Sequence, residues 1–221
     1  MTTVQAARTH VVTRRRPAGI VAFVVSLLLV LTSCSAGSVG DQASTDEFWA
    51  SLRITGDEVE GYSSLDAMMQ ASDAVVVGRF VDFGVSRQLQ GDAEEDVVTY
   101  GKATVAVAEV VSGSGVDSTI TLEFLLDAAP DGIDTLVEEL RSVLPTAPMV
   151  LFLREKRGPG EVDLYRIVNS DGIWVTTESG LETPLSGNID IATSDDLFPA
   201  KYRDELAGAT NLDDLVAILG R

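Results

Sequence analysis

The sequence predicts a β-rich fold with minor α content: a small Greek-key barrel with a helix between its third and fourth strands and short helices at the C-terminus. Three observations predict it. Residues 118–126 alternate Ile120, Leu122, Phe124 and Leu126 against Thr119, Thr121, Glu123 and Leu125, the period of a strand with one face buried. Residues 131–144 switch period, with Ile133, Leu136, Val137, Leu140 and Leu144 recurring at three and four residues, which makes one apolar stripe on a helix. Residues 149–153 are apolar throughout, as in a strand covered on both faces.

Taken in chain order, residues 35–45 are small and polar with two glycines, the composition of a flexible tether. Within residues 46–61, Phe48, Trp49, Leu52 and Ile54 suit a short helix and strand packed on the domain. Residues 63–71 read as a helix, with Ser63 or Ser64 as N-cap, Asp66 in the first turn, and Leu65, Met68 and Met69 on one side. Residues 74–83 are rich in valine and read as a strand, with Gly78 placed for a bulge or sharp bend. Gly91, Asp92, Glu94, Glu95 and Asp96 make residues 88–96 an acidic loop. Residues 97–111 are long and β-prone, and Gly113-Ser114-Gly115 closes them.

The helix at 131–144 has Asp131 or Asp134 near its N-terminus and Pro145 beyond its end. Residues 164–168 and 173–177 are expected to pair as a hairpin about the turn-forming stretch 169–172. Residues 195–206 and 211–219 read as two short helices, the second with Asp213 and Asp214 set against its dipole. The expected core is Val77, Val105, Val107, Leu122, Phe124, Leu136, Leu140 and Phe152. The first two long strands are expected to be antiparallel, since no crossover helix separates them. Three strands, a helix and then further strands is the order of an OB-fold, in which that helix plugs one end of the barrel.

The N-terminal residues have a different character. Arg8, Arg14, Arg15 and Arg16 precede an apolar or small run of 14 residues, 18–31. As a helix that run reaches about 21 Å of a hydrocarbon core about 30 Å thick, which is short for a membrane span and suits a secretory signal. It ends in Leu31-Thr32-Ser33-Cys34, which resembles the lipobox of bacterial lipoproteins. The resemblance implies cleavage before Cys34, a diacylglyceryl group on its sulfur, and a domain held on the extracytoplasmic side of the bacterial cell membrane. Thr13-Arg14-Arg15-Arg16 also resembles a twin-arginine export signal, but Pro17 and Ala18 stand where that signal prefers large apolar residues, which favours the general secretory route. The chain thus divides into a signal peptide (1–33), a tether (34–45) and one domain (46–221).

Composition excludes several kinds of chemistry. The formal net charge is −18, and loss of four arginines with the signal peptide takes it to −22. Such a surface repels nucleic acid. The only histidine, His10, leaves with the signal and the only cysteine, Cys34, takes the lipid. No Ser-His-Asp or Cys-His set, no His- or Cys-ligated zinc or haem, and no internal disulfide can then be built. The acids of residues 91–96 and 127–134 match no calcium-loop spacing. No metal, cofactor or catalytic residue is expected. A serine nucleophile would need Lys102, Lys156 or Lys201 as its base, and all three are expected to be solvated. Glu109 and Glu123 are read as solvent-facing sheet residues, and Asp73 and Asp82 as flanking caps.

Residues 72–176 also resemble the OB-like domains of netrin-type modules and tissue inhibitors of metalloproteinases. The similarity lies in Ala74-Val75-Val76-Val77-Gly78-Arg79, in Val105-Ala106-Val107-Ala108-Glu109-Val110-Val111 and in Val150-Leu151-Phe152-Leu153. Those inhibitors act through a disulfide-tied N-terminal cysteine, so the resemblance implies the fold and no inhibitory function. OB-folds bind ligands on strands two and three and the neighbouring loops, and aromatic and arginine side chains make good hot spots. The candidates here are Tyr100, Arg154, Arg157, Tyr165, Arg166 and Trp174; the alternative places Tyr165 and Trp174 in the core and Arg166 in solvent. The expected function is that of an envelope lipoprotein acting as a binding or interaction module for another envelope protein or a small ligand. A small hydrolase using carboxylates only and a substrate-binding lipoprotein of a transporter remain open.

Overall fold

The valine-rich run after Asp73 becomes β1 (Ala74–Gln90), longer than its sequence suggests because its far half pairs with β2 (Val97–Gly113) as far as Gln90 opposite Val97. The structure, a computed structural model, describes residues 39–53, 60–93, 97–127, 130–158, 161, 164–186 and 202–221. Within them follow β3 (Thr119–Leu126), β4 (Met149–Glu155), β5 (Leu164–Ile167), β6 (Ile173–Thr177) and β7 (Gly180–Glu182). The helices are α1 (Val39–Leu52), α2 (Leu65–Ala71), α3 (Ile133–Ser142) and α4 (Leu212–Leu219). Among the described residues no helix is long and apolar enough to cross a membrane.

The strands form one mixed sheet in the order β1-β2-β3-β5-β4-β6-β7, and β1 also pairs with β4, so that five strands make a partial ring. The first two strands are antiparallel, as expected. Among the described residues only β3 and β5 run parallel, with Thr121 opposite Leu164 and Leu122 opposite Tyr165, because the chain crosses through α3 and β4 between them. The predicted irregularity at Gly78 is real: the β1–β2 register shifts between Val77 and Gly78. A Cβ there would lie 2.8 Å from Val105 Cγ1 and 3.0 Å from the Ala106 carbonyl oxygen, so the approach of β2 requires glycine.

Residues 164–177 do not form a hairpin. Leu153 faces Ile167 and Arg154 faces Arg166, while Met149 faces Val175 and Leu151 faces Ile173. Hence β5 and β6 lie end to end along one edge of β4, and β1 takes the other edge, with Ala74 opposite Leu153 and Gly78 opposite Met149. The stretch 169–172 makes an excursion instead of a reversal because tertiary hydrogen bonds draw it inward. Buried Asp171 accepts from Ser186 Oγ at 2.6 Å and from the Tyr202 hydroxyl at 3.2 Å. Asn169 Nδ2 donates to the Glu60 carbonyl at 3.2 Å.

Helix α1 begins at Val39, inside the stretch read as a tether, and buries Phe48, Trp49 and Leu52. The Phe48 ring packs edge-on against Trp49 at 5.1 Å and Phe83 at 5.6 Å. Ile54 lies outside the described residues. Helix α2 is capped by Ser64, whose side chain accepts from the Ala67 N–H at 3.0 Å. Helix α3 buries Ile133, Val137 and Leu140. Its Arg141 guanidinium donates to the Phe83 carbonyl from Nη2 at 2.8 Å and to Asp82 at 3.1 Å. Among the described residues no strand pairs with that side of β1 past Gly78, so Arg141 covers an edge that would otherwise invite pairing.

The helix expected at 195–206 is a run of turns where it is described, from Tyr202 to Gly208. One helical turn forms, with Leu206 N–H bonded to the Tyr202 carbonyl at 2.9 Å. Gly208, at φ +88°, then ends it before a helical nucleus can propagate. Residues 195–201 lie outside the described residues. Helix α4 forms as expected, with Asn211 Oδ1 capping the Asp214 N–H at 3.0 Å.

Two apolar clusters flank β4. Met149, Leu151 and Leu153 join Phe80, Phe83, Val105, Leu122, Phe124 and Leu140 on one face. Val150 and Phe152 join Leu65, Met68, Trp174, Tyr202 and Leu215 on the other, which is why β4 is apolar at each position from Met149 to Leu153. Of the expected core, Val105, Leu122, Phe124, Leu140 and Phe152 are buried. Val77, Val107 and Leu136 are half-buried at the cluster margins.

Candidate functional site

The alternation that turns Ile120, Leu122, Phe124 and Leu126 inward sends Glu123 to the outer face of β3. The Glu123 side chain is nonetheless fully buried, at 0% exposure. The solvent-facing reading fails because the loop after β4 lies across this face. Lys156 Nζ and Arg87 Nη2 both donate to Glu123 Oε2, the second at 3.0 Å, and Ser86 Oγ donates to Oε1 at 2.5 Å. In a regular strand Ser86 and Arg87 would point to opposite faces. The β1–β2 register shifts between Val85 and Arg87, and this bulge lets both side chains reach one carboxylate.

Glu161 closes the cluster. Its Oε1 accepts from Arg87 Nη2 and lies 3.7 Å from Lys156 Nζ, and its Oε2 accepts from the Gly158 N–H at 2.7 Å. The Arg87 hydrogen bond and the Gly158 N–H, helped by the charges of Lys156 and Arg87, hold the Glu161 carboxyl below the usual carboxylate range against the opposing effect of burial. Arg87 Cζ and Lys156 Nζ lie 5.1 Å and 4.9 Å from the centre of the Tyr100 ring, within cation–π range. Two cations and two carboxylates thus neutralise each other over one aromatic ring.

Lys156 is therefore not the solvated lysine expected: its side chain is 16% exposed, covered by Tyr100 and the two glutamates. Lys102 is exposed as expected, and Lys201 lies outside the described residues. Ser86 gives its hydrogen to Glu123, so the serine and lysine of this cluster meet through a carboxylate and not as a nucleophile and its base. Glu109 faces solvent. Asp73 accepts from Arg157 and from the Glu155 N–H.

A second cluster lies on β4 and β5. Arg154 and Arg166 are directly opposite each other in the ladder, and like charges so placed repel. Glu60 stands between them, taking Arg154 Nη1 on both oxygens at 3.0 Å and Arg166 Nη2 at 2.8 Å. The Tyr62 hydroxyl adds a hydrogen bond at 2.8 Å. Burial pushes the Glu60 carboxyl up, but the hydrogen bonds from Tyr62 and Arg166 and the charges of Arg166 and Arg154 outweigh it and leave it below its ordinary 4.5. Burial and the neighbouring Glu60 push the Tyr62 hydroxyl the other way.

A depressed carboxylate contributes stability above its unfolded pKa and loses it as pH falls through the lower folded value. Glu60→Gln is accordingly expected to lose less stability than the natural chain as pH falls from 4.5 downward. Urea unfolding at stepped acidic pH reads the difference, and parallel losses would place Glu60 outside the acid transition.

The six candidate residues do not converge. Tyr100 sits under the Glu123 cluster, and Arg154 and Arg166 flank Glu60. Arg157 is 70% exposed and pairs with Asp73 and Glu155. Tyr165 is half-buried against the first apolar cluster, and Trp174 is fully buried against Tyr202, with ring centres 5.9 Å apart. Arg87, Glu123, Lys156 and Glu161 went unrecognised as a group. One signal was available: Glu123 is the only charged residue of β3, set between Leu122 and Phe124. Among the described residues no three His, Cys, Asp or Glu side chains are grouped to hold a metal ion. No protein-family model matches the chain, and no curated protein or solved structure is significantly similar to it.

Proposed function

We propose that this is an envelope lipoprotein, anchored through lipid on Cys34, whose domain is an OB-like Greek-key barrel acting as a binding or interaction module. The pairing cycle of β1, β2, β3, β5 and β4 supports the barrel, as do the parallel β3–β5 pair and the position of α3 between β3 and β4. The observation that carries the binding reading is the Tyr100–Arg87–Lys156 stack. It spans β1, β2 and the loop after β4, on the face where OB-folds take their ligands, and it combines an aromatic ring with cationic side chains. Glu60 and Glu161, each paired with arginine and held below the ordinary carboxylate value, fit ion-pair roles and not that of the raised acid a carboxylate-only hydrolase needs. The module is read as having no catalytic residue, metal or cofactor. Its partner is an envelope protein or a small ligand, since a net charge of −18 disfavours nucleic acid. The lipid chains, at about 0.8 kcal/mol per buried methylene, hold the domain on the outer side of the cell membrane.

Cys34→Ser is expected to leave the full-length precursor and to abolish a shorter, palmitate-labelled form. Mass spectrometry of membrane material carrying an unmodified Cys34 in the natural protein would end the lipoprotein reading. The binding face is tested by placing a photoreactive residue at Lys102, exposed on the same face of β2 as Tyr100, or at Glu139, exposed on α3. A discrete adduct is expected in the native envelope from position 102 alone. Adducts from 139 only, or equally from both, would move the binding surface elsewhere.

A further inference from the structure

The Glu161 carboxylate occupies a site built for a carboxylate. Its two oxygens are held from different sides, Oε1 by Arg87 Nη2 with Lys156 Nζ at 3.7 Å and Oε2 by the Gly158 N–H at 2.7 Å. That division matches a planar group with two acceptor oxygens. The residue folds back on Gly158, since its N–H also bonds the Gly158 carbonyl at 3.0 Å. A Cβ on Gly158 would collide with the Glu161 carboxylate, so the space the carboxylate fills depends on glycine at 158.

The two glutamates of the cluster differ in access. Glu123 is fully buried and bonded to Ser86, and is the fixed counter-charge. Glu161 retains 15% exposure and meets solvent. Without Glu161, the cluster holds Arg87 and Lys156 against Glu123, a surplus of one positive charge. That surplus suits a monoanion; a phosphate dianion would leave a negative excess.

We propose that Arg87, Lys156 and the Gly158 N–H form a carboxylate-binding cradle, that Glu161 fills it from within the chain, and that the ligand of this face presents a carboxylate that takes Glu161's place. The last part rests on the reading of this face as the binding face. The carboxylate belongs to an acidic side chain, a peptide C-terminus or a free organic acid, all of which offer the same two oxygens.

The test titrates the full chain, purified in detergent, with sodium acetate against sodium chloride at equal ionic strength, following the Gly158 amide resonance and the thermal midpoint. In Glu161→Ala the amide is expected to shift saturably with acetate, and acetate but not chloride to raise the midpoint. Apparent affinity should be at least ~10-fold above that of the natural chain, in which a tethered carboxylate competes at an effective concentration on the order of millimolar or more. Adding Arg87→Ala to Glu161→Ala should abolish the response. Glu161→Ser, which empties the same space, should also gain acetate binding and serves if Glu161→Ala does not fold; Gly158→Ala should gain none, since its Cβ would stand where the carboxylate lies. Absence of an acetate-specific response in whichever Glu161 variant folds, or an equal response in the natural chain, overturns the cradle. N-acetylglycine and the α-amide of N-acetylglutamate separate a C-terminal from a side-chain carboxylate. A failed acetate response with an intact adduct from position 102 would refute the cradle and leave the binding face standing; a lost adduct with an intact acetate response would refute the face.

Discussion

Replacing Glu123 with Ala is expected to destabilise the protein by about 3 to 5 kcal/mol, the cost of breaking a buried ion pair by removing one partner. The carboxylate is fully buried, and its loss strands the donors of Ser86, Arg87 and Lys156, the last with only 16% of its side chain exposed. Arg87 keeps its hydrogen bond to Glu161 and Lys156 keeps only the longer ion pair to it at 3.7 Å, so the lost hydrogen bonds fall on Lys156 and Ser86. Taking out both ends together should behave differently. Glu123→Leu with Lys156→Met is expected within about 2 kcal/mol of the natural chain, or above it, because neither desolvated charge then remains. Urea unfolding of the two variants decides the matter. A cost below about 1 kcal/mol for Glu123→Ala would mean that the loop after β4 does not exclude water from the outer face of β3.

Phe124→Ala should cost about as much, roughly 3 to 5 kcal/mol, by a separate mechanism: lost apolar transfer and the cavity left behind. The Phe124 ring meets Phe80 edge-on at 6.1 Å and Phe83 at 6.4 Å. Those rings are held by Phe48 from α1, so the space cannot collapse without moving that helix. Phe124→Leu should cost distinctly less, because most of the volume is kept. The denaturant midpoint should fall while its slope is unchanged. A midpoint shift equivalent to less than about 1 kcal/mol would place Phe124 outside the core.

The two adjacent residues show how far the chain can be read without its fold. The inward face of β3 is legible because the period of two is a local property, carried by Ile120, Leu122, Phe124 and Leu126 alone. The burial of Glu123 is not legible in that pattern. It depends on Lys156, 33 residues away in sequence, and on a bulge at Ser86 that no propensity marks. The arginines show the same limit: Arg154 and Arg166 look like free cationic hot spots until the ladder sets them opposite each other with Glu60 between.

The failed hairpin follows the same logic. Residues 169–172 have turn composition, and turn composition says that the chain bends without saying whether the flanking strands meet. Because residues 149–153 of β4 are apolar on both faces, each face needs a cluster of its own, and both edges of the strand are paired. β1 takes one edge, and β5 and β6 share the other.

By itself the sequence determined the order of β1 to β6 with α2, α3 and α4 among them, the apolar stripe of α3, the double-faced burial of residues 149–153 and a content of one histidine and one cysteine, since periodicity and residue type are properties of short stretches. Only the tertiary structure decided which strands pair, which charges are buried and which glutamate fills the space beside Arg87 and Lys156, because desolvation and ion pairing depend on segments that folding alone brings within a few ångströms.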